Sequence, residues 1–226
     1  MHITPSVLIR GAAVSAVVAG IAYILIQFIH PADEVGSLST QAWVNVHVLS
    51  FAEAVLALIG LTGLYLRQAR VVGVLGLVGY VMFAFFFVLQ SAFNFAEAFI
   101  APLIAIDAPQ LAVDFVGLFG RYPAVTDLGP LAALPGIGAV LYVGGAALFG
   151  VAVIRGRMLS RGAGILLIVS AALTPLAGVL MPHALERLAA VPMGLALVWL
   201  GYSLFASMRT SDAQQSFTPS DPIAAA

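Results

Sequence analysis

Six apolar stretches, each long enough to cross a bilayer, alternate along this chain with short turns that hold nearly all of its charge. A transmembrane helix needs about 20 mostly apolar residues to traverse roughly 30 Å of hydrocarbon. The runs at 7–30, 42–66, 71–100, 131–154, 162–181 and 189–208 all qualify. Only 8% of the 226 residues are charged and 62% are hydrophobic, whereas a soluble domain carries roughly 25% charged residues. Such a chain cannot build a water-facing surface, so its solvent is lipid. The apolar residues run continuously and lack the alternation of barrel strands, which leaves helices. The expected fold is all-α: a polytopic bundle of six transmembrane helices over residues 1–209. Residues 210–226, rich in Ser, Ala, Pro and Gln and without periodicity, are expected to be a disordered tail.

Basic residues orient the bundle. There is no lysine, and Arg10, Arg67, Arg70, Arg155, Arg157, Arg161 and Arg209 fall on one side of a six-span arrangement. Only Arg121 and Arg187 fall on the other. The positive-inside rule then places both termini in the cytoplasm. Asp33, Glu34, Asp107, Asp114 and Asp127 land outside, and Trp43 opens the second span at the outer interface. The first run exceeds a signal-peptide core and has no small-residue cleavage site at its exit, so it reads as a retained span. The absence of cysteine excludes disulfides and thiolate metal sites. The absence of lysine excludes lysine-based covalent chemistry.

The 30 residues from Ala101 to Pro130 are too long for a simple turn. Asp107-Ala108-Pro109-Gln110 offers a capping acceptor, a first-turn proline and a capping-box amide. Leu111, Ala112, Phe115, Val116 and Phe119 follow on one helical face. These features predict an amphipathic outer helix at about 108–120. The tight link Arg67–Arg70 predicts a hairpin between the second and third spans. Small residues at Gly11, Ser15 and Ala19, and at Gly73, Gly76 and Gly79, predict close helix contacts. Pro135, Pro175 and Pro192 predict kinks in the last three spans.

Polar side chains gather in the outer half of the first three spans. Gln90, Asn94 and Glu97 stand at i, i+4 and i+7 on the third, within one stripe. Tyr23, Gln27 and His30 form a comparable stripe on the first. On the second, Ser50 is central, with His47 and Glu53 about 60° to either side of it. Glu53 lies roughly 16 Å beyond Ala42 along the helix axis, near the bilayer midplane and level with Gln90. An ionised side chain there costs about 2.5–3.5 kcal/mol even on lenient scales. Glu53 must therefore be protonated, paired or hydrated, with His47 the expected protonation partner and Gln90 a donor. Interhelical hydrogen bonds of the same residues would alternatively serve only to lock the bundle.

His183 and Glu186 follow the fifth span as His-x-x-Glu, and with His47 or Glu97 they are candidate ligands for a divalent metal. No cofactor is otherwise indicated. Walker, zincin, intramembrane-protease and Gly-x-Ser-x-Gly motifs are absent. The arginines lie dispersed along the membrane margins, which argues against a nucleic-acid partner. Membrane lipid, a small amphipathic ligand and a second copy of the chain are the partners compatible with this sequence. In its six-span layout, its opening Arg10-Gly11-Ala12-Ala13 and its His47…Glu53 second span, the chain resembles actinobacterial-type membrane proteins of a domain-of-unknown-function class. That resemblance implies a multi-pass protein of a bacterial plasma membrane and no particular activity. The expected function is binding or transport of a small or amphipathic molecule in an outward-facing pocket formed by Tyr23, Gln27, His47, Ser50, Glu53, Gln90, Asn94 and Glu97. It would be proton-linked through Glu53 and His47. A lipid-modifying enzyme, metal-dependent or using these groups as acid and base, and an accessory subunit are the alternatives.

Overall fold

A computed structural model of the chain describes residues 4–32, 34–119, 124–181 and 186–216, with backbone alone for 119 and 210–216. Asp33, Arg121, His183 and the segment 217–226 lie outside the described residues. The described residues are helical with no strand, and five helical runs are long and apolar enough to cross a membrane. In chain order the elements are α1 (Pro5–Ile29), α2 (Val35–Leu38), α3 (Gln41–Phe99), α4 (Ala101–Asp107) and α5 (Pro109–Val116). After a further 3-10 turn at Gly117–Phe119 come 3-10 turn Gly129–Ala133, α6 (Leu134–Ala139), π segment Val140–Gly144 and α7 (Gly145–Gly156). The chain ends with α8 (Arg161–Leu180), 3-10 turn Arg187–Ala190 and α9 (Val191–Ser216).

Helix α3 is two antiparallel arms. At Gly73 the backbone takes φ 57° and ψ −156°, a left-handed conformation that glycine adopts without steric cost. The reversal therefore sits at Gly73 and not at Arg67–Arg70, which continue the first arm. Across the hairpin, Tyr65 stacks on Tyr80 with ring centroids 4.5 Å apart, and Thr62 and Tyr80 share a hydroxyl hydrogen bond of 3.2 Å.

The arms and the remaining long helices pack as a closed ring: α1, first arm, second arm, α7, α8, α9 and back to α1. Backbones touch wherever small residues face each other. Gly60 and Gly63 meet Ala16 and Ala12 of α1, Gly20 meets Gly194 of α9, and Ala13 meets Gly201. Gly79 lies against the Leu148–Phe149 backbone, and Gly150 against Gly164. Lipid offers no hydrophobic drive between helices, so such close approach supplies the van der Waals cohesion. The packed face of α1 is Ala12, Ala13, Ala16, Ala19 and Gly20. Gly11, expected on that face, is exposed, because the contact stripe runs one residue later on the helix.

These pairings bring Arg10, Arg67, Arg70, Arg155, Arg157, Arg161 and Arg209 to one end of the ring. Arg67 donates there from Nε to Ser207 Oγ at 3.2 Å. The opposite end carries α2, α4 and α5. Trp43 is fully buried in a cluster with Leu38, Ala101, Ala112 and Val116 that fastens this cap to the start of α3. Trp43 is thus a core anchor, because α4 and α5 cover the position that sequence alone leaves at the interface. The amphipathic helix expected at about 108–120 takes the form of α5 and the following 3-10 turn, with residue 120 outside the described residues. Its start is capped by Ala108 with no side-chain bond. Asp107 instead ends α4, and Gln110 Nε2 donates to Asp114 Oδ1 at 2.9 Å. Helix α9 extends past residue 208 to Ser216, so helix occupies the first part of the segment expected to be a disordered tail.

Candidate functional site

Between the ring helices, a cavity of about 640 Å3 runs from the capped end into the middle of the bundle. Its deep end is formed by Tyr23, Glu53, Phe86, Gln90, Tyr142 and Thr174. Its mouth is bordered by His30, Glu97, Val116, Leu118, Glu186 and Arg187. Toward the arginine-rich end it is closed by the apolar core, in which Phe83, Phe87, Leu61 and Phe149 are at most 1% exposed.

Each wall follows from its own helix. Tyr23, Gln27 and His30 form the expected stripe of α1, and all three line the cavity. Gln27 folds back, its Nε2 donating to Tyr23 O at 2.9 Å. On the first arm, Ser50 and Glu53 face inward, and Ser50 Oγ donates to Val46 O at 3.0 Å. On the second arm, Gln90, Asn94 and Glu97 all line the cavity, as their i, i+4, i+7 spacing predicts. Asn94 Nδ2 donates to Gln90 O at 2.9 Å.

Glu53 and Gln90 meet across the hairpin. Gln90 Nε2 donates to Glu53 Oε2 at 3.0 Å. Glu53 is 0% exposed, yet its Oε1 has no hydrogen-bond partner among the described residues, and neither has Gln90 Oε1. A bare carboxylate oxygen in a protein interior pays a desolvation cost that only a proton, a donor or a cation relieves.

His47 does not join them. Its Nδ1 donates to Trp43 O at 2.8 Å and its Nε2 faces Glu97 Oε2 at 3.4 Å. A carbonyl can only accept, so the Nδ1 contact fixes the ring with Nε2 toward Glu97. Six residues separate His47 from Glu53, which is about 120° around a helix, so one ring position cannot serve both. The histidine belongs to a buried group at the cap, where Trp43 Nε1 donates to Glu97 O at 2.8 Å and the His30 ring meets the His47 ring edge-on at 4.9 Å. His47 is therefore a positioning residue for Glu97 and not the partner of Glu53.

The metal candidates separate in a similar way. His47 and Glu97 are in contact, Glu186 lies at the mouth, and His183 falls outside the described residues. No three metal-capable groups come together among the described residues.

Sequence reasoning missed half of the deep wall. Tyr142 sits in the π segment Val140–Gly144, whose wider turn breaks the helical register of the fourth apolar run. Its hydroxyl bonds Thr174 Oγ1 at 3.1 Å, beside Pro175 in the interior of α8. The available signal was a lone polar-tipped residue in an otherwise apolar run and a Thr-Pro pair in the next. Phe86, whose ring centroid lies 4.8 Å from that of Tyr142, completes the floor.

Comparison of the chain with protein-family models, with curated proteins and with solved structures finds no match, so its functional reading rests on this geometry.

Proposed function

We propose that this chain is a six-crossing membrane protein that takes a small amphipathic molecule into its cavity from the outer side. In this reading the long α3 crosses twice, both termini are cytoplasmic, and the membrane is a bacterial plasma membrane. The seven arginines at one end supply the orientation through the positive-inside rule. The observation that carries the functional reading is a cavity of about 640 Å3 ending on a fully buried carboxyl group. A purely structural polar network would satisfy its own donors and acceptors, since an orphaned buried acceptor is a net loss of stability. Here the Glu53–Gln90 pair keeps two buried acceptors without a partner among the described residues, in the wall of a space that falls within the roughly 300–1,000 Å3 of ligand pockets, so a ligand reaches them once the two side chains turn toward it. Apolar and aromatic walls with a few polar groups at the far end suit a molecule with an apolar body and one polar head.

Glu53 serves this function as the group that exchanges a proton for the polar head of the ligand. Gln90 and Asn94 orient it, Tyr23, Tyr142 and Thr174 line the head-group space, and the His47–Glu97 pair holds the cap. Because the chain has no cysteine, single cysteines at Asn94 and Thr174 can be probed with a membrane-impermeant thiol reagent on intact cells. The expected result is external labelling at both positions. Absence of labelling at both, with an exposed control at Val125 fully labelled, would overturn the outward-open pocket.

A further inference from the structure

We infer that the polar head recognised at the deep end of the cavity is a protonated amine bearing N–H bonds, an inference that rests on the pocket reading above. Two independent features of the site converge on this chemistry. The first is the sign of the unmet hydrogen-bonding capacity. Gln90 Oε1 is an acceptor, as is Glu53 Oε1 once the carboxyl has given up its proton, and both are buried and without a partner among the described residues. A ligand that completes both must bring at least two donors to this one side-chain pair. An ammonium group does so with a compact charge, whereas an alcohol brings one donor and a carboxylate or phosphate brings none.

The second feature is the surface that surrounds those oxygens. Tyr23, Phe86 and Tyr142 line the same end of the cavity, with the Phe86 and Tyr142 ring centroids 4.8 Å apart. Aromatic faces attract cations, and the attraction strengthens where water is excluded. Among the described residues, the remaining charged or titratable groups lining the cavity are His30, Glu97, Glu186 and Arg187, all toward the capped end. At the deep end the only other titratable groups among the described residues are the phenols Tyr23 and Tyr142, so no cation among the described residues sits beside Glu53. A carboxylate in that position calls for a counter-charge, and an incoming ammonium supplies one.

The requirement for N–H donors separates this site from one for quaternary ammonium. A tetraalkylated nitrogen would satisfy the aromatic faces and leave both bare oxygens unmet. The proton balance of the exchange is simple. With the cavity empty, no donor or cation among the described residues meets the buried Glu53 Oε1, and a proton relieves its desolvation. When the ammonium seats, that proton leaves to water, and the ligand arrives with its own charge.

The test uses the full chain in lipid nanodiscs, with titration calorimetry of 2-phenylethylammonium, its neutral isostere 2-phenylethanol, and phenyltrimethylammonium. The amine is expected to bind most tightly, with about one proton released per molecule when buffers of different ionisation enthalpy are compared. Hydrogen bonds to charged groups are worth about 1.5–3 kcal/mol, so Glu53→Gln should weaken the amine roughly 10- to 100-fold and leave the alcohol unchanged. Retained cysteine labelling at position 94 verifies that this variant keeps its pocket. Gln90→Leu, which preserves the carboxyl, provides a second readout and should cost the amine a smaller factor with no effect on the alcohol. Equal affinity for amine and alcohol, insensitivity to Glu53→Gln, or preference for the quaternary cation would each overturn the amine inference while the pocket stands. No binding of any probe to a chain whose position 94 labels from outside overturns the amine inference alone. No binding together with no labelling overturns the pocket reading as well.

Discussion

Gln90 Nε2 donates to Glu53 Oε2 at 3.0 Å across the α3 hairpin, and each side chain keeps one oxygen without a partner. The relationship joins the two arms by a neutral-donor bond at a carboxyl that is 0% exposed. Replacing both partners therefore tests whether this contact is glue.

Measured hydrogen bonds between membrane helices average about 0.6 kcal/mol. The double replacement Glu53→Met with Gln90→Leu, which leaves no buried acceptor orphaned, should accordingly lower unfolding free energy by no more than about 0.6 kcal/mol in a denaturant titration in mixed micelles. A loss of several kcal/mol would identify the pair as structural and remove the main support for a binding role.

Gln68 presents a different imbalance at the arginine-rich end. It is 1% exposed, and neither its Oε1 nor its Nε2 has a hydrogen-bond partner among the described residues. An unsatisfied buried polar group costs about 1–3 kcal/mol, and methionine has nearly the same length and shape. Gln68→Met is expected to raise the thermal midpoint without changing the fold. A lowered midpoint would show that the amide has a partner, such as a bound water, that is essential to the hairpin.

Asp114 clamps the outer loop. Its Oδ2 accepts from the Thr126 amide at 2.7 Å and the Val125 amide at 3.2 Å, and its Oδ1 accepts from Gln110 Nε2. The Thr126 side chain is the largest influence holding its carboxyl below the ordinary value of 3.8, with the two amides and Gln110 adding to it. A depressed folded value means that the clamp is fully present above the unfolded value and is lost as pH falls through the lower folded one. Hydrogen exchange at Val125 and Thr126 should thus be insensitive to pH-dependent clamp loss near neutrality and should rise, beyond the intrinsic pH effect, below about pH 4. Asp114→Ala should open the same amides at neutral pH. Unchanged protection in that variant would show that α5 packing alone orders the loop.

Orientation has a direct readout in the cysteine-free chain. Val125 is 81% exposed at the capped end, and Arg157 is exposed in the turn between α7 and α8. A cysteine at position 125 should label from outside in intact cells, and one at 157 only after permeabilisation. The reverse pattern would invert the bundle and place the cavity on the cytoplasmic side.

The residue pattern by itself determined that this chain is a helical membrane bundle, since a sequence with so few charges has no other way to satisfy its backbone. Period alone also set the stripes. Tyr23, Gln27 and His30, and Gln90, Asn94 and Glu97, face the cavity because spacings of three and four residues share a helix face. What period cannot contain is the angle between neighbouring helices and any local departure from 3.6 residues per turn. Only the packed ring decided that His47 turns to Glu97 and leaves Glu53 to Gln90, because the two positions on the first arm point about 120° apart. The reversal at Gly73 depended on one residue's φ 57°, which a run of arginines on a continuing helix conceals. The π segment brought Tyr142 to the floor opposite Glu53, a placement no regular helical wheel yields. Composition committed the chain to lipid, and tertiary contacts determined which of its buried polar atoms were paired and which were left without a partner among the described residues.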